Sequence, residues 1–201
     1  MRTKFKPWAE PYILEHKEIS IEPEGYPSIK DFYMEIGSGK GGFLIDMATK
    51  FPNENFLGVE KNVTCAGISC KKIVESELPN IKFIWVDADK LVKEIKDCSI
   101  KGIFLNFSDP WPKKKHHKRR LTAPKFITEY YRILKEGGFL AFKTDNKDLF
   151  DFSKEMIETS KFKVKSLSED YMDEDEFDAV TEYEANFREK GFKIYKMILI
   201  K

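Results

Sequence analysis

A glycine-rich turn between an apolar strand and an amphipathic helix constrains this chain more than any other feature. Phe32-Tyr33-Met34-Glu35-Ile36 reads as a strand and Gly37-Ser38-Gly39-Lys40-Gly41-Gly42 as a turn. Phe43 to Phe51 has helical spacing, with Phe43, Leu44, Met47, Ala48 and Phe51 on a common side. Pro52 and Asn53 end that helix, and Phe56-Leu57-Gly58-Val59 is a second strand closing on Glu60. The result is a β-loop-α-β unit with its glycines at a strand's carboxyl end. Glycines there permit positive φ and let backbone N–H groups approach a ligand closely.

The alternation continues to the C-terminus. Val63 to Ser76 reads as a helix, Ile81 to Val86 as a third strand stopping at Asp87-Ala88-Asp89, and Leu91 to Ile95 as a short helix. Gly102 to Phe107 is the fourth strand. Thr122 to Leu134 is a helix stopped by Gly137-Gly138, Gly138 to Thr144 the fifth strand ending on Asp145-Asn146, and Leu149 to Thr159 a helix. Phe162 to Leu167 and Gly191 to Ile200 supply the last two strands. Alternating strands and helices predict an α/β fold: a doubly wound, Rossmann-like, mostly parallel seven-stranded sheet with an antiparallel C-terminal strand and helices on both faces. The 201 residues suit one such domain, with residues 1–26 as an N-terminal basic and aromatic arm. No apolar segment approaches the roughly 18 residues of a membrane span and no signal peptide opens the chain, so a soluble, cytoplasmic protein is expected. Cys65, Cys70 and Cys98 lack any C-x-x-C spacing, which fits packed, reduced thiols and no metal site.

Net charge is only +1, so affinity for a polyanion must come from where charges sit. They sit after the fourth strand. Asn106-Phe107-Ser108-Asp109-Pro110-Trp111-Pro112 must turn, because its two prolines remove backbone donors. Lys113 to Arg120 follows, in which only His116 and His117 are not Lys or Arg. A carboxylate and an aromatic ring at a strand's end, beside a localised positive field, suit a polyanion with one reactive base held at a carboxylate. In the arm, Arg2, Lys4 and Lys6 interleave with Phe5, Trp8 and Tyr12. That pattern either grips RNA by phosphate pairing and stacking, or lies across the body with Trp8 and Tyr12 as apolar anchors. Glu169 to Asp178 is strongly acidic and reads as a solvated loop; Thr181-Glu182-Tyr183-Glu184 then starts a short polar helix.

The glycine loop alone leaves two cofactors open. Gly37, Gly39 and Gly42 satisfy the dinucleotide pattern, so NAD must be weighed. Glu35, two positions before the first glycine, favours S-adenosylmethionine over it. A carboxylate there repels a pyrophosphate but suits S-adenosylmethionine, which carries a cationic sulfonium and ammonium. Glu60, some twenty residues on, is placed to accept from ribose hydroxyls, and Asp87, at the third strand's carboxyl end, from an adenine amino group. Helix capping is the alternative for Asp87 and Asp89.

NFSDPWPKKKHHKRRL (Asn106 to Leu121), KTDN (Lys143 to Asn146) and TEYE (Thr181 to Glu184) together resemble the bacterial tRNA (guanine-N7-)-methyltransferase family. The likeness runs from the glycine loop to the C-terminus. It implies methyl transfer from S-adenosylmethionine to N7 of a guanosine in the tRNA variable loop, with tRNA as partner, no membrane association and no protein partner implied. By resemblance, Glu35, Glu60, Asp87 and Asp109 match cofactor contacts, with Gly37 and Gly39 in the loop between them, and Asp109 holds the catalytic position. Lys113, Asp145, Thr181, Glu182, Tyr183 and Glu184 match substrate contacts; Lys115, His116, His117, Lys118, Arg119 and Arg120 match the RNA-interacting run. Three other readings compete. An amine methyltransferase would need a D-P-P-Y loop, but Trp111 follows Pro110. An NAD oxidoreductase is disfavoured by Glu35, and a non-catalytic RNA-binding module would not need the set of strand-end acids.

Overall fold

The computed structural model describes residues 3–172 and 176–201. Its contacts divide the chain into two compact units, residues 1–91 and 92–201.

The first unit is built on three parallel strands in the order β3-β2-β1: β1 Phe32–Ile36, β2 Asn55–Glu60 and β3 Ile81–Trp85. Ile36 lies opposite Val59, and Val59 opposite Ile84, so the three strands end in step. Helix α2 (Gly42–Lys50) and helix α3 (Val63–Ser76) make the connections. α2 buries Phe43, Leu44, Met47 and Ala48, the stripe its spacing predicts. α3 begins where the Asn62 side chain accepts from the Thr64 and Cys65 N–H groups.

The N-terminal arm is a docked element. Helix α1 (Ala9–Glu15) buries Ala9 and Ile13, whereas Trp8 stays 39% exposed. The buried anchors are Ala9 and Ile13; of the two named in the docked-arm reading, Trp8 is exposed and Tyr12 half-buried. Contact between the helices is close because Gly67 of α3 has no side chain: a Cβ there would lie 2.4 Å from Ala9 Cβ and 2.6 Å from its Cα. Further along, Phe83 N–H donates to Ile19 O at 3.0 Å and Ile21 N–H to Phe83 O at 2.9 Å. The arm thereby occupies backbone groups on β3 that would otherwise present an open edge.

The second unit carries four strands in the order β4-β5-β7-β6: β4 Ile100–Asn106, β5 Leu134–Thr144, β6 Lys163–Ser168 and β7 Tyr195–Ile200. β4 and β5 are parallel, and β7 runs antiparallel to both β5 and β6. Helices α4 (Ala88–Glu94), α5 (Pro124–Ile133), α6 (Lys147–Glu158) and α7 (Glu182–Glu189) complete the chain. The α/β alternation, the mostly parallel strands and the antiparallel C-terminal strand are as predicted. One boundary differs. Gly137-Gly138 does not stop α5; β5 begins directly at Leu134, and Gly137 (φ 72°) marks an irregularity within it. Early pairing of Ile100 with Leu134 holds that extension.

No disulfide forms among the three cysteines, and Cys70 is buried, its thiol pushed up to about 11 by desolvation. Cys98 is exposed, contrary to the packed-thiol expectation. Among the described residues, no helix is long and apolar enough to cross a membrane.

Replacing Gly67 with alanine should destabilise the protein. Overpacking against backbone costs about 1–3 kcal/mol, more than the ~1 kcal/mol alanine gains over glycine within a helix. Thermal unfolding of Gly67→Ala should give a lower Tm than wild type; an equal or higher Tm would show that α1 yields freely.

Candidate active site

In the first unit, three strand ends carry the predicted cofactor acids. Glu35 is the penultimate residue of β1 and is buried. Glu60 ends β2, and Asp87 follows β3 by two residues. Between β1 and α2 the chain makes a tight cradle in which Gly37, Gly39 and Gly41 all have positive φ (77°, 55° and 78°). The third is Gly41, not the Gly42 of the dinucleotide pattern. A Cβ on Gly41 would also meet Ser69 Oγ at 2.4 Å, so the turn has a packing reason for glycine as well as a conformational one.

Glu60 organises this cradle. Its Oε2 accepts from Gly39 N–H at 3.0 Å and its Oε1 from Asn62 N–H at 2.7 Å. Desolvation raises its pKa, partly offset by these backbone donors. A carboxylate already oriented by backbone donors can accept from additional hydroxyl donors. Asp87 caps α4: its Oδ1 accepts from Asp89 N–H at 3.0 Å, and its carbonyl from Lys90 N–H. The capping alternative is thus realised, and it uses one carboxylate oxygen while the residue stays exposed. Glycines without side chains, a ribose-type acceptor and an exposed strand-end acid fit S-adenosylmethionine. The buried acid at Glu35 does not fit a pyrophosphate.

In the second unit, β4 and β5 end side by side. Asn106 lies opposite Lys143, and Phe107 N–H donates to Lys143 O at 2.9 Å. The exposed Asp109 therefore follows one strand end and the half-buried Asp145 the next. Tyr183 reaches toward both: its ring lies 5.0 Å from that of Phe107, and its hydroxyl 3.5 Å from Asp145 Oδ2. Desolvation and then the Asp145 charge hold its pKa above the usual phenol value. Phe187 stacks beneath it at 4.3 Å, leaving Tyr183 42% exposed. The turn carrying Asp109 is strained, since Phe107 (φ 50°) and Trp111 (φ 42°) are left-handed without being glycine. Each costs about 1–3 kcal/mol, which the surroundings must hold.

The cationic run forms a 3-10 turn over Lys114–Arg119. Lys113, Lys114, Lys115, Lys118 and Arg119 are exposed, and His116 and His117 half-buried. Arg119 lies over the Trp111 ring at 5.0 Å and His116 meets its edge at 5.8 Å; His117 packs on Phe152 at 5.4 Å. Arg120 departs from the sequence reading. It is 3% exposed, and its Nε donates to Pro110 O at 2.8 Å, so the exposed part of the run ends at Arg119.

The TEYE segment also divides. Thr181 caps α7, its Oγ1 accepting from Glu184 N–H at 2.9 Å. The side chain of Glu182 lies outside the described residues. Glu184 is fully buried and is no surface contact. Its Oε2 accepts from Lys143 Nζ at 2.8 Å and its Oε1 from Arg188. Lys143 Nζ also donates to both oxygens of Asp178 at 3.1 Å and to Ala179 O at 2.9 Å, and Asp178 accepts from Lys196 and the Tyr171 hydroxyl. Asp178 is 2% exposed and Tyr171 6%, so the expected solvated acidic loop is wrong at both residues; positions 173–175 lie outside the described residues. The sequence signal for this cluster was present. Lys143 directly follows the apolar run Phe139–Phe142 and Lys196 interrupts the largely apolar β7, and a lysine buried there needs an acid.

Residues 30–197 match the family described as "Putative methyltransferase". A tRNA (guanine-N(7)-)-methyltransferase of Staphylococcus haemolyticus (strain JCSC1435) is 42% identical over 207 residues, covering 98% of this chain and 96% of its own. One from Limosilactobacillus reuteri (strain DSM 20016) is 40% identical over 209 residues, covering 98% of each chain. Among solved structures, a SAM-dependent methyltransferase from Aquifex aeolicus overlays with a TM-score of 0.58 at 14% identity, over 98% of this chain and 100% of its own. An antibiotic-related methyltransferase does so with a TM-score of 0.61 at 13% identity, over 100% and 96%. Fold and glycine cradle together define the class, the Rossmann-like S-adenosylmethionine-dependent methyltransferases. Within that class, the full-length similarity is decisive: the chain belongs to the tRNA (guanine-N(7)-)-methyltransferase family.

Desolvation is the largest influence on Asp178 and acts to raise its pKa, but Lys143 and Lys196 outweigh it and hold the value below the usual 3.8. A depressed folded value contributes stability that is present above the unfolded value and lost as pH falls through the folded one. Lys143→Met, which removes the cation shared by Asp178 and Glu184 and leaves them only Lys196 and Arg188, should cost about 3–5 kcal/mol near neutral pH. Urea midpoints at about pH 7 and about pH 3 should show that difference narrowing in acid, as pH falls below the ordinary carboxylate value that the unfolded chain keeps. A variant as stable as wild type at neutral pH would refute the cluster's role.

Proposed function

We propose that this chain transfers a methyl group from S-adenosylmethionine to N7 of a guanosine in tRNA, and that its Asp109 and Asp145 carboxylates hold the purine. The reading rests on one observation above all: the β4–β5 pairing sets the Asp109 turn and Asp145 on adjacent strand ends, with Tyr183 spanning both. Bound S-adenosylmethionine supplies an electrophilic methyl on a sulfonium. Guanine N7 carries an in-plane lone pair, so it attacks without first losing a proton and needs no strong general base. Asp109 and Asp145 accept from the purine N1–H and amino group and stabilise the positive charge that the ring gains. Tyr183 offers an aromatic face for stacking. Glu60, Glu35 and the Gly37–Gly41 cradle bind the cofactor, and the exposed cations from Lys113 to Arg119 bind phosphates, which position the tRNA.

Incubation with labelled S-adenosylmethionine and unmodified tRNA, followed by strand scission selective for N7-methylguanosine, tests the reaction. Label at N7 is expected; label on an exocyclic amine would favour an amine methyltransferase instead. The pH–rate profile should be flat between about pH 6 and 8, because no group must be deprotonated for attack. An essential base titrating in that window would overturn the carboxylates' assigned role.

Replacing Lys115, Lys118 and Arg119 together with alanine should weaken tRNA binding and reduce the slope of log affinity against log salt by about 2 to 3. Cofactor affinity, measured calorimetrically, should stay near wild type. Equal loss of both affinities would remove the run from phosphate binding.

A further inference from the structure

Arg120 closes the cationic run, yet it faces inward. Its guanidinium is buried, stands 4.5 Å over the Phe152 ring of α6, and donates through Nε to the carbonyl of Pro110. The neighbouring His117 ring packs on the same Phe152, and Ala123 N–H returns to Arg120 O at 3.0 Å, so the residue is fixed from both sides. What it holds is the segment that most needs holding. Between Phe107 and Pro112 the chain has two left-handed non-glycine residues and two prolines without N–H groups, and no strand ladder runs through it. At its start, the turn is tied to β5 by Phe107 N–H donating to Lys143 O. Arg120 supplies the corresponding tie on the other side of Asp109, immediately after it in the chain.

We propose that Arg120 is a positioning residue, fixing the Asp109–Pro110–Trp111 turn through the Pro110 carbonyl and so setting where the Asp109 carboxylate stands, rather than a contact for tRNA phosphate. The inference rests on the guanosine-N7 reading above. It separates two neighbouring arginines by chemistry. Arg119 is exposed and offers its charge outward, whereas Arg120 uses a planar donor whose direction matters. Lysine keeps the charge but lacks the planar Nε–H aimed at the Pro110 carbonyl.

Four variants decide the matter: Arg119→Ala, Arg120→Ala, Arg120→Lys and Phe152→Leu, each measured for turnover on tRNA, salt slope of tRNA binding, cofactor affinity and melting temperature. Arg119→Ala should lower the salt slope by about one, the signature of a lost phosphate contact. Arg120→Ala should leave the slope at its wild-type value and cut kcat by about a hundredfold, as expected when an active-site group is displaced by about an ångström. Arg120→Lys should fail to restore turnover, and Phe152→Leu, which loosens the guanidinium's seat without changing charge, should lower kcat at unchanged slope. A slope reduced by about one in Arg120→Ala, or full turnover in Arg120→Lys, would overturn the inference. Should Arg120→Ala not fold, the lysine and Phe152 variants decide by the same readouts. A wild-type protein that leaves N7 unmethylated counts against the functional reading itself; an Arg120 result on an active wild type bears on this inference alone.

Discussion

Two lysines inside the strands of the second unit dictate what surrounds them. An ammonium taken out of water costs several kcal/mol unless acids and carbonyls meet it. Lys143 and Lys196 are met by Asp178, Glu184 and the Ala179 carbonyl, with Tyr171 and Arg188 satisfying the remaining acceptor capacity. Such a cluster adds little net stability over a packed apolar core. It does specify geometry, since it joins β5, β7, the segment before α7 and α7 itself at fixed distances. The consequence for chemistry is local: Lys143 precedes Asp145 by two residues, and Glu184 follows Tyr183 by one. The cluster therefore fixes the approach of Tyr183 to Asp145, using charges buried away from solvent.

The first unit solves a different problem with backbone groups. A glycine turn has N–H donors but little to hold its shape. Glu60 holds it by accepting from Gly39 on one side and Asn62 on the other, so the acid predicted to meet a ribose also ties the cradle to the start of α3. Raising the Glu60 pKa by burial is the cost of that placement, and the backbone donors offset part of it.

Most of the strands and helices, and the strand-end acids, were legible because they follow from period and punctuation. Apolar runs end at Gly, Pro or Asp, and those breaks fall where ligand-binding loops must lie. The errors share a physical origin. Burial of a charged side chain depends on partners distant in sequence, and no local pattern reports them. Arg120 looks like its neighbours in the run, Asp178 like the acids before it, and Glu184 like the polar residues of its helix, yet all three are buried by contacts with other elements. The α5–β5 junction failed for the opposite reason: Gly137-Gly138 is a strong local stop signal, overridden by the pairing of Leu134 with Ile100.

An N7 target explains why the site can be this spare. Methyl transfer to an exocyclic amine must dispose of a proton, whereas N7 donates a lone pair that is already free. The charge problem left is the cation formed on the purine, which falls to Asp109 and Asp145 in the proposed reading. His116 and His117 pack against Trp111 and Phe152, and His16 pairs with Glu18 in the N-terminal arm. What remains for the protein is alignment. For that, a strained turn held at both ends serves better than a flexible loop, because a carboxylate that stabilises a developing charge helps only in proportion to how little it must move.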